Sequence, residues 1–444
     1  MRLVTPPLTI VENDGFNQDR FERKFFAVAL TNIIKNSNDP LVIGLDGNWG
    51  EGKTTFVKMW QQHLTSEQIP NIYIDAFSND HTDDAFMVVA SAITDYAKTY
   101  ATPEKAKELI YKTKKVGAQL ITWGAKIGIK ALTLGIIKET DIEDLSRIGD
   151  EISEGFSSTA EKLIEEKLNN HKHDIESIES FKTFLSTLPQ NLSPTAEKPT
   201  LTVIIDELDR CRPSFAIEIL EKIKHLFSVE NITFILVINK KQIEESIRST
   251  YGANIDAHTY LQKFINIETR LPKRTNEYNN DISIYCEKLQ ELHGIAFNGN
   301  RDLAKAMAAL GNHFQLSLRQ LEKSYSNVVL TYMAFSNPAN TYISLVSFFS
   351  ILKVINPDLF IKISKDNASL DEIQDLFSDI KQQHNSAYIT STLELLNFCF
   401  MPNDDYNKLS QNDRIRRFEQ GFHAERRKDV ATSYIIPLLH FTFS

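Results

Sequence analysis

Cysteine is scarce in this chain. There are three in 444 residues, Cys211, Cys286 and Cys399, far apart and without C-x-x-C spacing. That excludes a disulfide framework and a thiolate metal cluster, and it fits reduced thiols in a cytosolic protein. Long apolar runs are missing too. Within 116–137 the longest uncharged stretch is Val116 to Ala125, and Lys126 and Lys130 interrupt the remainder. A membrane-spanning helix needs roughly 18–20 apolar residues. Membrane contact through 116–137 therefore stays open, while spanning is not expected. An excess of positive charge is also absent, since 49 Lys and Arg face 58 Asp and Glu for a net charge of −9. This argues against a chain-wide grip on DNA or RNA, although a local basic patch remains conceivable. Met1 to Glu12 lacks the basic and apolar regions of a signal peptide, so the expected location is cytoplasmic or peripheral at the inner membrane face. No repeat or low-complexity tract occurs. What remains is an ordinary globular composition, 42% apolar and 24% charged. The length suggests two or three domains.

The stretch that organises the rest is Leu41 to Thr55. The apolar run Leu41 to Leu45 reads as a buried strand. Gly47-Asn48-Trp49-Gly50-Glu51-Gly52-Lys53-Thr54 spells G-x-x-x-x-G-K-T, and a segment free of Gly and Pro, Thr55 to Leu64, continues as a helix. Strand, glycine-rich loop and helix start form the context of a phosphate-binding loop. Glycines let backbone amides turn inward, and the helix adds its positive end. Lys53 would reach the β- and γ-phosphates, and the Thr54 hydroxyl would ligate magnesium.

Around this stretch the chain alternates strand and helix. Asp19 to Lys35 has apolar residues Phe21, Phe25, Val28, Ala29 and Ile33 near helical spacing. Asn71 to Phe77 reads as a strand and Ala85 to Tyr100 as a helix. Asp75 and Asp80, between them, read more simply as caps or solvated acids than as nucleotide ligands. Residues 101–175 look wholly helical, an insert read as a hairpin. Gly117, Gly124, Gly128 and Gly135 share one face there, which suits close helix packing or self-association. His173 to Leu188 is another helix, ended by Pro189. Leu201 to Ile205 and Thr233 to Ile238 suit central parallel strands. Phe264 to Glu268 suits a further strand. From about Thr275 the chain looks helical, with candidates at 281–293, 302–310, 317–335, 341–355, 369–383, 389–400 and 413–420. The expected fold class is α/β, a P-loop NTPase parallel sheet with helices on both faces, a helical insert, and an all-α lid and C-terminal domain. The domains would be 1–275, 276–330 and 331–444.

Asp206-Glu207 follow the strand Leu201 to Ile205, at the strand end where open α/β sheets bind ligands. Asp206 would hold magnesium and Glu207 would polarise the attacking water. Asn239, at the tip of the next strand, is either a γ-phosphate or water sensor or a strand-end cap. Asn239-Lys240 begins like a guanine-reading N-K-x-D motif, but position 242 is Gln, so ATP is preferred over GTP. Arg319 could reach the γ-phosphate from the lid, or pair with Glu322 on its own helix. Arg210 and Arg212 are either fingers supplied in trans or structural clamps. The basic residues Arg414, Arg416, Arg417, Arg426, Arg427 and Lys428 are interspersed with Glu419, Glu425 and Asp429, the pattern of a solvated helix face.

Asp19-Arg-Phe-Glu-Arg23, the loop Gly47 to Thr54 with its Trp-Gly pair, Ile205-Asp-Glu-Leu-Asp-Arg-Cys-Arg-Pro213, Tyr260 to Ile265 and Leu318 to Glu322 together resemble the KAP family of P-loop NTPases, over about 19–330. The resemblance implies an ASCE-type ATPase core using ATP and Mg2+, with a helical lid. It also implies a link to signalling scaffolds in animals and to phage exclusion or plasmid-borne defence in bacteria. Many members carry two membrane-spanning helices at the place of the insert, which here is too short and too charged. The family's usual acidic residue after the third apolar strand is here Asn239. The expected function is an ATP-hydrolysing switch or motor, a homo-oligomer with an effector partner. The alternative is a nucleotide-gated scaffold of little turnover that recruits an effector or membrane.

Overall fold

Five short apolar segments form the centre of the protein. Leu41–Asp46 (β1), Asn71–Asp75 (β2), Leu201–Asp206 (β3), Ile232–Ile238 (β4) and Ile267–Arg270 (β5) make one sheet in the order β2-β3-β4-β1-β5, every pair parallel. The computed structural model describes residues 1–6, 15–82, 84–133, 157–274, 280–295, 302–334, 342–378, 386–410 and parts of 413–441. β3 and β4 are buried at every position. That is why their sequences are unbroken apolar runs, since helices cover both faces of the sheet. Val203, Ile205, Phe234 and Leu236 point to one face, and Ile204, Ile235 and Val237 to the other. β4 lies between the P-loop strand and the acidic strand.

Helices Lys24–Asn36 (α1) and Lys53–Ser66 (α2) cover one face of the sheet. The apolar stripe read from the sequence on α1 is not the one that packs. Phe25, Val28 and Ile33 are 65%, 38% and 40% exposed, and the buried face is Ala27, Leu30, Thr31 and Ile34. The helix carries two stripes, and the second fits α2 because Thr31 accepts the Trp60 indole N–H at 3.0 Å. A buried indole needs that partner, and apolar spacing alone cannot register it.

Ala85–Tyr100 (α3) covers the other face. Pro103–Thr133 (α4) and Ser157–Leu192 (α5) pack together, joined by Lys112 Nζ to Ser180 Oγ at 2.7 Å. The insert was expected to end before a separate helix at 173–188; instead α5 is one helix through both, and its contact with α4 at Ser180 lies in the later part, while residues 134–156, with Gly135, lie outside the described residues. A Cβ at Gly117 would sit 3.4 Å from Met87 Sδ and 3.5 Å from Phe86, so this glycine sets α4 close to α3. Among the described residues no helix is long and apolar enough to cross a membrane. α5 runs through Pro189 to Leu192 rather than stopping before it. A proline there costs one amide hydrogen bond near the helix end, which the last turn accommodates.

Pro213–Lys222 (α6) adds to the same face, and Lys240–Tyr251 (α7) and Ala257–Leu261 (α8) lead to β5. β5 begins three residues later than expected. Phe264 and Ile265 are buried before the strand rather than in it, and Ile265 fills the space beside Gly44, whose added Cβ would be 3.2 Å away.

The remainder is helical: Asp281–His293 (α9), Asp302–His313 (α10), Leu318–Ala334 (α11), Ile343–Ile355 (α12), Pro357–Ser364 (α13), Leu370–Asp375 (α14), Ala387–Phe400 (α15), Asn403–Lys408 (α16) and Arg427–Ile435 (α17). Leu289, Leu303, Tyr325, Phe348, Phe360, Leu396 and Ala431 belong to one continuous apolar cluster. One core therefore runs across position 330. The α-helix expected at 413–420 is not formed by its described residues, 413–416 and 418, which make only turn and 3-10 backbone. Several basic residues of the C-terminal region act as struts. Arg427 donates to Phe398 O, Met401 O and Asn403 Oδ1 and lies over the Tyr406 ring, Arg414 pairs with Glu394, and Lys428 pairs with Asp366.

Candidate nucleotide-binding site

The loop Gly47 to Gly52 leaves the tip of β1 and starts α2. Gly50 and Gly52 hold φ of +79° and +83°. These values favour glycine because a Cβ would crowd the backbone. Gly47 N donates to Ile238 O at 3.1 Å, which ties the loop to the tip of β4. Lys53 is buried, and its ammonium folds onto the loop, donating to Gly47 O and to Asn48 O, the latter at 3.1 Å. Burial pushes the Lys53 pKa down, against the pull of Asp209, Glu51, Asp206 and Asp46. An anionic ligand at the loop would oppose that burial cost. Asn48, Trp49 and Thr55 are exposed. Glu51 accepts from Lys273 at 2.7 Å and from Asn48 at 3.4 Å.

β3 brings the acidic pair alongside. The Thr54 hydroxyl lies 3.4 Å from Glu207 Oε1 and also hydrogen-bonds Asp206. Asp206 is 2% exposed. Its pKa is raised by burial, opposed by hydrogen bonds from Thr54, from Tyr73 and from the Glu207 amide. Tyr73 Oη donates to Asp206 Oδ2 at 2.9 Å, and Glu207 N to Oδ1 at 2.8 Å. Glu207 sits at φ +61°, in the left-handed region that a residue with a Cβ rarely occupies. Its pKa is raised by burial, opposed by Arg210. Asp206 and Thr54 offer a buried carboxylate and a hydroxyl side by side, the hard oxygen donors that suit Mg2+. Among the described residues no group of three or more His, Cys, Asp or Glu side chains could hold a metal. A magnesium ion held by Thr54 and Asp206 would need water and phosphate oxygens as its other ligands.

The lid reaches the loop. A Cβ on Gly50 would lie 2.7 Å from Arg319 Cβ and 3.2 Å from Ser317 Oγ, and one on Gly52 would lie 3.5 Å from Leu318. Arg319 is exposed at the start of α11. Glu322 accepts from the Tyr285 hydroxyl. No Arg319–Glu322 ion pair forms among the described residues, and the arginine stands at the P-loop. Asn239 is buried at the tip of β4 and makes no side-chain cap to α7. The capping alternative for it is therefore not realised. Asp75 and Asp80 take structural roles. Asp75 accepts from Ser78 N at 2.9 Å, and Asp80 accepts from Arg212 N and Nε at 3.0 and 3.1 Å. Arg212 is thus a clamp, whereas Arg210 pairs with Glu207 Oε2 at 2.5 Å.

Three contributors were not among the candidate site residues. Tyr73 is one; it sits in the middle of β2, opposite Ile204, and reaches Asp206 only through its hydroxyl. Arg23, 3% exposed, bridges Glu51 O at 3.5 Å and Asp281 Oδ2 at 3.4 Å, so it joins the P-loop to α9. Asp209 accepts the Trp49 indole N–H at 2.5 Å.

No curated protein matches the chain. Two solved structures of the Aeropyrum pernix ORC2 protein, one as ADPNP-ADP complexes and one in its ADP form, share 12% and 11% identity with it. They match over 96% and 97% of this chain and 99% and 96% of theirs, each with a TM-score of 0.35, too loose a likeness to carry function. Residues 23–335 match the KAP family P-loop domain, which contains every loop, strand and lid residue described above. The chain belongs to the KAP family of P-loop NTPases.

Proposed function

We propose that this protein hydrolyses Mg-ATP and uses the cycle as a conformational switch. The observation that carries the reading is the meeting of Thr54 and Glu207, 3.4 Å apart, under a lid arginine at Gly50. Lys53 and the loop amides would hold the β- and γ-phosphate oxygens. Thr54 and Asp206 would hold Mg2+, which would neutralise charge on those oxygens. Glu207 would take the proton of a water aligned on the γ-phosphorus, as the bond to the ADP oxygen breaks. Arg319 would meet the charge on the transferred phosphoryl group, and Asn239 would orient the water. These roles are positioning and electrostatics, which dominate phosphoryl transfer.

The full chain is expected to turn over ATP in the presence of Mg2+. Glu207→Gln should keep ATP affinity and lose at least about 100-fold in kcat, the scale of a lost general base. Rapid turnover by that variant would sink the assignment of the base.

One contact favours the second reading, a nucleotide-gated scaffold. Arg210 engages Glu207 at 2.5 Å, which leaves the base partly neutralised. For the biological setting, the resemblance supports phage exclusion or defence in bacteria, with a homo-oligomer and an effector as partners. Phage plaquing on cells carrying the wild-type chain or Lys53→Ala tests the setting, and sizing with and without ATP tests assembly.

A further inference from the structure

The acidic turn after β3 is held from two sides. Arg210 Nε pairs with Glu207 Oε2 at 2.5 Å, within the single turn that Leu208 to Arg210 make. Asp209, the residue between them, accepts the indole N–H of Trp49 at 2.5 Å. Trp49 is 45% exposed, on the loop itself. The far end of the turn is anchored. Arg212 is fixed to Asp80 through its backbone and guanidinium and also donates to Thr82 O at 3.0 Å. The near end is anchored by Asp206, which the Glu207 amide and Tyr73 hold in place. Between two fixed points, Asp209 and Arg210 are adjacent residues of one turn, so whatever moves Asp209 also moves Arg210.

We propose that Arg210 restrains Glu207, that the Trp49–Asp209 hydrogen bond holds the turn in this restrained form, and that a nucleotide in the P-loop loosens the hold only in part, so that even with ATP bound the base is free for a fraction of the time. Arg210 is then a positioning residue that withholds the base, not a finger acting in trans. Both carboxylate oxygens of Glu207 are engaged in the resting arrangement, Oε1 by Thr54 at 3.4 Å and Oε2 by Arg210. The ion pair is partly solvent-exposed, at 31% for the Arg210 side chain and 19% for Glu207. Pairs of that exposure are weak enough to exchange, which suits a catch rather than a permanent lock. The Trp49 side chain reaches Asp209 from the part of the loop where phosphates must enter. Occupancy of the loop is thereby coupled to the acidic turn without any motion of the sheet.

This inference rests on Glu207 as the base, and the experiment separates the two claims. With the full chain, Mg2+ and ATP, Arg210→Ala should raise kcat about five- to tenfold with KM for ATP unchanged, and Arg210→Lys should fall between it and wild type. Trp49→Phe removes the donor but keeps an aromatic ring, and it should also raise kcat. Combined with Arg210→Ala it should add nothing further, because both act on one restraint. Fluorescence gives a readout free of turnover. ATP should change the emission of wild type, the change should vanish in Trp49→Phe, and Asp209→Asn without nucleotide should already shift the emission in the direction that ATP does. A kcat at or below wild type in an ATP-binding Arg210→Ala overturns the restraint. If that variant does not fold, wild-type kcat in both Arg210→Lys and Trp49→Phe overturns it instead. Persistent turnover in Glu207→Gln means that the underlying assignment of the base has failed.

Discussion

At the scale of the residue, Gly50 is constrained twice over. It holds φ +79°, and an added Cβ would come 2.7 Å from Arg319 Cβ and 3.4 Å from Arg319 N. The left-handed conformation alone costs a residue with a Cβ about 1–2 kcal/mol, and the contact with the lid adds to that. Gly50→Ala is expected to lower the melting temperature by several degrees and to weaken ATP affinity at least tenfold, read by thermal unfolding and by titration. An unchanged affinity would mean that the lid does not press on the loop. Lys53, Thr54, Asp206 and Glu207 were legible in the sequence because their chemistry forces a spacing. Tyr73, Arg23 and Asp209 were not, since each acts through a partner far away in sequence; Arg23 and Asp209 lie within stretches that carry the family resemblance, but no spacing rule gives them a role. Arg319 was legible only as two options; its Cβ lies beside Gly50 and Glu322 is taken by Tyr285, while its contact with a phosphate belongs to the proposal.

At the scale of the element, α1 shows why periodicity finds a helix but not its buried face. Leu30 is 4% exposed and Phe25 65%. Leu30→Ala should cost about 2–5 kcal/mol by leaving a cavity. Phe25→Asn should stay within about 0.5 kcal/mol, as surface changes do. Chemical denaturation of the two variants checks the order, and the reverse order would return the packing to the stripe read from sequence. The start of the chain offers a second case. His293 Nδ1 contacts Arg2 O at 2.6 Å and its Nε2 lies 3.1 Å from Thr5 Oγ1, so residues 1–6 are held against α9. Burial lowers the His293 pKa below its ordinary value of 6.5, against the pull of the Arg2 carbonyl and Glu322. The neutral ring is therefore the form the fold prefers. Its contribution is complete above 6.5 and is lost as pH falls from 6.5 through the lower folded value. The protection of amides at residues 1–6, taken relative to the intrinsic exchange rate at each pH, should fall between pH 7.5 and pH 5, and His293→Asn should remove that dependence. The sequence held no sign of this contact, because it joins residues nearly 300 apart.

At the scale of the whole molecule, the parallel sheet and the helix content were open to reading, but the extent of the helical core was not. Alternating strands and helices with two acidic or glycine-rich strand ends leave few topologies. Helix spacing after position 275 says nothing of which helices share a core. Leu289 and Tyr325 lie in the same cluster as Phe348, Leu396 and Ala431. A chain ended at Ala334 should therefore expose the apolar faces of α9, α10 and α11, and should aggregate or lose cooperative melting; a soluble, cooperatively melting product would show that 281–334 forms its own core. That continuity has a mechanical consequence. α11 has 17 residues and begins with Leu318 and Arg319 against the P-loop. At 1.5 Å per residue it is about 25 Å long. In the proposed switch it would work as a lever, with its first turn on the P-loop and the rest embedded in the helical core. A displacement of an ångström at that first turn would then become a larger sweep at the periphery.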